Sequence, residues 1–219
     1  MVTIKVVFQA PCRMPNGLQA GREGLWLIDQ TEDDVYLVDP RGKVLRRLMT
    51  ESGNSSGLTY GGGALWAALN GGPRNRAERP GDRHGDWVLK VSPRTGRTLA
   101  AFRLPGEGGV HGLEWVRGRV WVTRPGIKRI TLFAARDFSV VNEIEVPYPR
   151  LHGLAWDGRG LWAAHTADRV IVRYDVKTAR ALDTIETPPP HPAPHGLTIW
   201  HGALWYADAD TGAVCRIER

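Results

Sequence analysis

The chain of 219 residues repeats one short pattern five times. Each copy has a Gly-Leu pair, a Gly-rich turn and then a Leu-Trp or Val-Trp pair, and the tryptophans follow one another at intervals of 40, 55, 41 and 43 residues. A period near 40 with short strands and turn residues is typical of a β-propeller, in which each repeat forms one four-stranded blade. The copies are Gly17-Leu18 with Leu25-Trp26, Gly57-Leu58 with Leu65-Trp66, Gly112-Leu113 with Val120-Trp121, Gly153-Leu154 with Leu161-Trp162, and Gly196-Leu197 with Leu204-Trp205.

The fourth repeat shows how one blade would be built. Residues 151–156 and 161–165 form the first two predicted strands, joined by the turn at 157–160. Alternating apolar and polar residues at 169–174 and the segment 181–185 predict the third and fourth strands. The fifth repeat ends after its third strand, whereas residues 3–8 form a strand that belongs to no repeat. We therefore expect this N-terminal strand to complete the last blade and close the ring.

These observations predict an all-β chain that forms a single five-bladed β-propeller with four-stranded antiparallel blades. The expected blades cover about residues 16–52, 55–108, 109–149, 150–190, and 193–219 together with strand 3–8. The Trp of each Leu-Trp or Val-Trp pair should fill the space between neighbouring blades rather than serve as a sugar platform, because it recurs at one register.

Composition narrows the possible functions. No window approaches the ~18 apolar residues of a membrane helix, and the N-terminus lacks the features of a signal peptide, so a cytoplasmic protein without a membrane partner is the simplest interpretation.

The two cysteines, Cys12 and Cys215, are expected to be free thiols, although a closed ring would bring them near enough to pair. The net charge of +6 permits an anionic partner. The arginines are scattered rather than aligned, which argues against nucleic acid.

Strand direction predicts which side chains meet at one mouth of the central channel. In an antiparallel blade the start of the first strand and the end of the second lie at the same edge. The residue before each Gly-Leu pair and the residue three past each repeat Trp should therefore share one face. The first set is Asn16, Ser56, His111, His152 and His195, and the second is Asp29, Leu69, Arg124, His165 and Asp208.

Histidines from three consecutive blades are the most informative members of these sets. Imidazoles and carboxylates are ligands of divalent metals, so the sequence predicts a site for Zn, Fe, Mn, Ni or Cu. Its predicted ligands are His111, His152, His195, His165, Asp208 and Asp29. The predicted catalytic residues, which would transfer protons, are His152, His195 and the neighbouring Glu114. The alternative is that the histidines are a repeated structural motif bonded to backbone and that Glu114 caps a backbone group.

The second repeat is about 14 residues longer than its neighbours. The excess, residues 71–86, is polar, basic and rich in Gly and Pro, and strand direction places it on the same face as the histidines. It could be a lid whose residues Arg74, Arg76, Arg79 or Arg83 attract an anionic substrate, or a disordered surface excursion. The predicted substrate-binding residues are Asn16, Ser56, Arg124, Trp87, Arg74 and Arg76.

At these residues the chain resembles the streptogramin (virginiamycin B) lyase-like propellers and the wider group with gluconolactonase-type repeats. Residues 194–197, Pro-His-Gly-Leu, and 202–208, Gly-Ala-Leu-Trp-Tyr-Ala-Asp, are similar to that family's Pro-His-Gly and Gly-x-Leu-Trp-Phe-Thr-Glu motifs. The resemblance implies elimination from a cyclic ester, driven by a channel-mouth His and a divalent cation, typically magnesium. It places the His role at His195, His152 or His111 and a metal-carboxylate role at Asp208.

The chain also departs from that family. It has five repeats rather than seven blades, and three of its repeats carry Leu69, Arg124 or His165 in place of the motif's acid. Propeller-type glutaminyl cyclases also have five blades, but their characteristic acidic and Trp segments are absent here. We therefore predict a metal-assisted lyase or hydrolase acting on a small molecule at the His-lined mouth, where the basic charge permits an anionic substrate. The alternative is a non-catalytic propeller module that binds a ligand or a protein.

Overall fold

The computed structural model describes residues 2–73, 75–104, 106 and 108–219 and confirms the five-bladed β-propeller. Five four-stranded antiparallel sheets form, and the only helical segment in the described residues is the 3-10 turn Pro125–Ile127. The strands are β1 (Thr3–Gln9), β2 (Pro15–Ala20), β3 (Leu25–Asp29), β4 (Asp34–Val38), β5 (Val44–Met49), β6 (Ser55–Gly61), β7 (Ala64–Asn70), β8 (Asp86–Val91), β9 (Thr98–Arg103), β10 (Leu113–Val116), β11 (Arg119–Arg124), β12 (Arg129–Ala134), β13 (Val140–Glu145), β14 (Leu151–Trp156), β15 (Leu161–His165), β16 (Val170–Tyr174), β17 (Ala181–Glu186), β18 (Leu197–Trp200), β19 (Ala203–Ala207) and β20 (Ala213–Glu218).

Blades 1 to 4 each use four consecutive strands, from β2–β5 to β14–β17. Blade 5 has the order β1-β20-β19-β18, so the N-terminal strand supplies its outermost position, as predicted. The pairing of β1 with β20 runs from Thr3 opposite Glu218 to Gln9 opposite Ala213. The two ends of the described chain are thereby joined in one sheet, which closes the ring without a covalent link.

Packing between blades is dominated by the repeated tryptophans. All five are buried, from Trp66 at 1 % exposed to Trp205 at 7 %. Trp66, for example, stacks on Trp115 of the next blade with ring centroids 5.4 Å apart. The tryptophans therefore act as core residues, as their common register predicted.

The first strands of the five blades approach one another at the axis through the glycines of the Gly-Leu pairs. A Cβ on Gly57 would lie 1.9 Å from the carbonyl oxygen of His111, and one on Gly112 would lie 2.0 Å from that of His152. The axial space that these five glycines line has no room for a water molecule. Glycine is needed because backbone packs directly on backbone here, and the channel is closed at this level.

A bulge at the start of three of these strands sets the direction of the residue before the glycine. The register shifts between Pro15 and Gly17, between Ser55 and Gly57, and between Leu151 and Leu154. A bulge breaks the alternation of side chains between the two faces of a strand. The bulged residues, including His152, therefore do not follow the buried leucines into the space between blades.

No helix of the described residues is long and apolar enough to cross a membrane. Cys12 and Cys215 are both free thiols, and burial raises the pKa of each.

Candidate functional site

Three histidines pack against one another at one mouth of the closed channel. The ring centroids of His111 and His152 lie 4.7 Å apart, and those of His152 and His195 lie 4.8 Å apart, with edge-to-face geometry in both pairs. His152 and His195 are buried and His111 is half-buried. The structure thus brings together the three imidazoles that precede the glycines, and we call them the His cluster.

Each imidazole of the His cluster is held in its neutral form. Burial lowers the pKa of His111 to about 4, with Arg150 and His195 adding to the shift. Burial lowers the pKa of His152 well below its usual value and also lowers that of His195. A neutral imidazole keeps one lone pair, so near pH 7 each ring can accept a proton or a hydrogen bond.

His152 is oriented by Thr166, which directly follows the end of β15. The hydroxyl of Thr166 donates to the carbonyl of Pro194 at 2.5 Å, and its oxygen lies 2.7 Å from Nδ1 of His152. Because the hydroxyl proton is used on Pro194, the oxygen accepts from Nδ1–H. The proton of neutral His152 therefore sits on Nδ1, and its Nε2 carries the lone pair.

His195 is the member of the His cluster that contacts a carboxylate. Its Nδ1 lies 3.6 Å from Oδ1 of Asp208 and 3.3 Å from both the carbonyl of Ala193 and the backbone nitrogen of Ala209. Burial lowers the pKa of His195, whereas Ala193 and Asp208 oppose that effect. A carboxylate beside an imidazole stabilises the imidazolium that forms when the ring takes a proton.

The ring of His111 is hydrogen-bonded to a side-chain amide. Nδ2 of Asn70 lies 3.1 Å from Nε2 of His111, and Asn70 itself belongs to a row of amides that crosses blades 1 and 2. Asn16, predicted to bind substrate, begins that row at the mouth and is buried. Ser56, the other non-histidine of its set, is buried and donates to the carbonyl of Val110 at 2.8 Å, so its hydroxyl links two blades.

The predicted set lies three past each repeat Trp, and its member Asp208 contacts the His cluster through His195. Three polar residues outside that set lie four past the repeat Trp. Asn70 contacts His111, Thr166 contacts His152, and Gln30 bonds to Asn16 and Asn54. Side chains one residue apart on a strand face opposite sides. The signal was available in the sequence as polar residues at that position in blades 1, 2 and 4.

The two predicted carboxylate ligands, Asp29 and Asp208, accept hydrogen bonds from neighbouring turns. Asp29 accepts hydrogen bonds from the backbone nitrogens of Met14, Thr31 and Glu32. Asp208 similarly accepts from Ala193, Asp210 and the Thr211 hydroxyl. These carboxylates stabilise the turns that follow the second strands of blades 1 and 5.

His165 lies apart from the His cluster. Its Nε2 is 2.9 Å from the hydroxyl of Tyr174, and its ring packs on Tyr148 with centroids 4.4 Å apart. Burial lowers its pKa to about 4, and no other histidine contributes to that shift. Within the described residues no group of three or more His, Cys, Asp or Glu side chains is arranged to hold a metal ion. The six predicted ligands thus do not fit one metal in this arrangement.

Glu114 is buried inside the blade interface rather than at the His cluster. Its Oε1 accepts a hydrogen bond from the backbone nitrogen of Trp156 in the next blade at 3.1 Å. Thr59 and Thr198 accept in the same way from Trp115 and Ala20, so this position links successive blades. Burial raises the pKa of Glu114 to about 8, which keeps the carboxyl largely protonated near neutral pH.

The insertion at 71–86 connects β7 to β8 and packs on blade 1 at the same face as the His cluster. Nε of Arg76 lies 2.9 Å from Asp33, and Nη1 lies 2.8 Å from Asp82. Nη2 of Arg76 also donates to the carbonyl of Ser52 at 2.6 Å, and only 9 % of its side chain is exposed. Arg76 therefore fastens the insertion to the propeller, and its charge is already neutralised.

The other predicted substrate-binding residues of this region also have protein partners. Arg79 pairs with Asp34 at 2.9 Å. Trp87 lies in β8, donates to the carbonyl of His84 and packs on the core between blades 1 and 2. Arg124 is buried and lowers the pKa of Asp86, opposing the rise that burial causes. Arg74 lies outside the described residues.

An exposed cation that the sequence did not single out lies beside the His cluster. Arg150 lies two residues before His152, and its positive charge lowers the pKa of His111, His152 and His195. It is exposed and has no ion pair with another described residue. It is therefore a better candidate for attracting an anion to the mouth than the paired arginines of the insertion.

No protein-family profile and no curated protein matches this chain, whereas solved structures are similar to it at low sequence identity. The glutaminyl cyclase of Myxococcus xanthus superimposes with a TM-score of 0.76 at 12% identity, covering 98% of this chain and 95% of that one. They share the propeller fold. A catalytically inactive virginiamycin B lyase of Staphylococcus aureus with quinupristin gives 0.59 at 17% identity, over 94% and 66% of the two chains. The propeller domain of Cps50 (Swd1) from Myceliophteria thermophila gives 0.54 at 13% identity, over 93% and 82%.

Proposed function

We propose that this protein is an enzyme of the lyase or hydrolase type that acts on a small molecule at the His cluster. The observation that carries the proposal is the contact of three neutral imidazoles, two buried and one half-buried, at one mouth of the closed channel, with a carboxylate beside one of them. Keeping three imidazoles buried and uncharged lowers stability when the pH falls. A purely structural role does not require that cost at three adjacent positions.

His195 is the proposed general base. Its imidazole takes a proton from the bound molecule or from an attacking water, and the carboxylate of Asp208 stabilises the imidazolium. The same ring then returns the proton to the leaving oxygen. Arg150, at the exposed rim, would draw an anionic molecule toward the mouth. The glutaminyl cyclase and the lyase among the similar structures support an enzyme on this fold, although each of them is a distant relative.

A divalent metal and a cytoplasmic location remain predictions. Asp29, Asp208 and His165 are held by other groups, so a metal would have only the three imidazoles of the His cluster. The proposed proton transfers therefore use protein groups alone. Elemental analysis of the purified protein tests the metal prediction, and a stoichiometric transition metal that His152→Ala removes would support it.

Turnover measurements on matched histidine variants test the proposed function. A panel of lactones, aryl esters and cyclic peptide esters is offered to the wild-type protein, and a substrate that it converts is used with His195→Gln. We expect kcat to fall about 100- to 10,000-fold because the base is lost. The control is His165→Gln, which removes an equally buried histidine outside the His cluster and should leave kcat within about twofold.

The second candidate is a non-catalytic binding module. The Cps50 propeller domain shows that similar folds are not confined to the two enzymes compared here. No turnover of any compound in the panel, or equal losses in His195→Gln and His165→Gln, would favour this module over the enzyme.

A further inference from the structure

Four side-chain amides form one continuous hydrogen-bonded row that ends on His111. Nδ2 of Asn16 donates to Oε1 of Gln30 at 2.5 Å, and Nε2 of Gln30 donates to Oδ1 of Asn54 at 2.6 Å. Nδ2 of Asn54 donates to Oδ1 of Asn70, whose Nδ2 faces Nε2 of His111 at 3.1 Å. We call Asn16, Gln30, Asn54 and Asn70 the amide row.

Every bond of the amide row has the same direction. Each amide donates through its nitrogen to the next residue, from Asn16 toward His111, and the oxygens of Gln30, Asn54 and Asn70 accept. Because Oδ1 of Asn70 is used by Asn54, its NH2 group is the one that meets His111. An amide NH2 can only donate, so Nε2 of His111 must accept. The proton of the neutral imidazole therefore sits on Nδ1.

The two ends of the amide row are unpaired. Oδ1 of Asn16 and Nδ1 of His111 are buried and have no hydrogen-bond partner among the described residues. One end is a carbonyl that can accept, and the other is an N–H that can donate. A buried polar group without a partner is costly, which points to groups that a bound molecule would satisfy.

We propose that Gln30, Asn54 and Asn70 are positioning residues that fix the tautomer of His111 with its proton on Nδ1. The row thereby leaves a buried, unpaired acceptor at Asn16 and a buried, unpaired donor at His111. Reversing one amide reverses every amide between it and His111, because each NH2 needs an oxygen as its partner. That the direction of these hydrogen bonds helps to bind a substrate rests on the proposed function. The tautomer of His111 itself can be measured without substrate.

The test is the protonation pattern of His111, observed by NMR of the two ring nitrogens in 15N-histidine-labelled protein and assigned with His111→Gln. In the wild type, we expect the proton on Nδ1. Asn54→Asp places a group that can only accept in the row, so Asn70 must turn its NH2 toward residue 54 and its oxygen toward the ring. We expect this variant, which does not contact His111, to move the proton to Nε2.

Asn142→Asp is the matched control, because Asn142 donates to the carbonyl of Val176 on another part of the propeller. It should leave the proton on Nδ1. If Asn54→Asp does not fold, Gln30→Glu makes the same demand one amide further away. A wild-type proton on Nε2, or an unchanged tautomer in the folded variant, would overturn the proposal. Neither result depends on turnover, so failure here and failure of the proposed base are separate outcomes.

Discussion

At the scale of single residues, the axial glycines, the buried histidines and Glu114 are the positions where a substitution should most affect the stability of the propeller. The glycines are required by contact rather than by backbone dihedral angle, since the missing Cβ atoms would overlap the backbone of the next blade. The buried histidines and Glu114 are required in their uncharged forms, since burial shifts the pKa of each toward the neutral state.

Gly57→Ala should be strongly destabilising, because its Cβ would lie 1.9 Å from a backbone oxygen that cannot move aside. We expect a loss of about 4 kcal/mol or more in the free energy of unfolding, measured with urea. Gly202→Ala is the control, since a Cβ there meets nothing within 4 Å and only the left-handed backbone is strained. It should cost about 1 kcal/mol. Equal losses would contradict the close-contact explanation.

Stability should be greatest near pH 6.5 and fall on both sides. Below pH 6.5 the unfolded protein binds protons that the folded histidines do not take up, so unfolding becomes easier as pH falls. For His111 and His165 this difference persists to about pH 4. Between pH 4.5 and about 8 the folded protein holds a proton on Glu114 that the unfolded chain releases, so unfolding becomes easier as pH rises. Each group contributes at most about 1.4 kcal/mol per pH unit, and below pH 6.5 the four histidines outweigh the single acid.

Urea denaturation at a series of pH values measures both sides of this profile. Glu114→Gln should flatten the decline between pH 6.5 and about 8, because the acid that titrates there is removed. It should also steepen the fall between pH 6.5 and 4.5, where the acid no longer opposes the histidines. An alkaline decline that persists in the variant would show that another group is responsible.

At the scale of elements, the sequence predicted the strands of the fourth repeat closely, because Gly-rich turns and alternation mark both ends of each strand. Residues 151–156 and 161–165 coincide with β14 and β15. It also predicted that the residues before the glycines meet at one mouth. It did not identify which side chains on the second strands face that mouth, since a shift of one residue exchanges the two faces of a strand. Asp29 thus stabilises a turn, whereas Gln30 beside it belongs to the amide row.

The insertion between β7 and β8 is fastened to blade 1 by Arg76 and Arg79, and Arg76 is the more deeply buried of the two. Arg76→Ala removes the ion pairs with Asp33 and Asp82 and the bond to Ser52. Removing one partner of a buried ion pair costs about 3–5 kcal/mol, so the segment 71–86 should detach locally. We expect at least tenfold faster proteolysis within this segment. Arg94→Ala, an exposed arginine in the turn between β8 and β9, should not change the rate.

At the scale of the whole molecule, closure of the ring depends on β1. Phe8 is 9 % exposed and packs in the core shared by blades 5 and 1, whereas Val6 on the same strand is 53 % exposed. Phe8→Ala should lower the free energy of unfolding by about 3–5 kcal/mol, because it leaves a cavity where the ring closes. Val6→Ala should change it by less than about 0.5 kcal/mol. Thermal unfolding of the two variants side by side measures the difference, and similar midpoints would refute a core role for this strand.

The contact of the five axial glycines has one further consequence for how molecules reach the His cluster. Since not even water fits between the five first strands, the propeller has no open channel and the His cluster lies in a depression on one face. Whatever reaches the histidines must arrive and depart from a single side, and its product must clear the same opening before the next molecule can follow. The opposite surface is sealed from this exchange and can change without altering it.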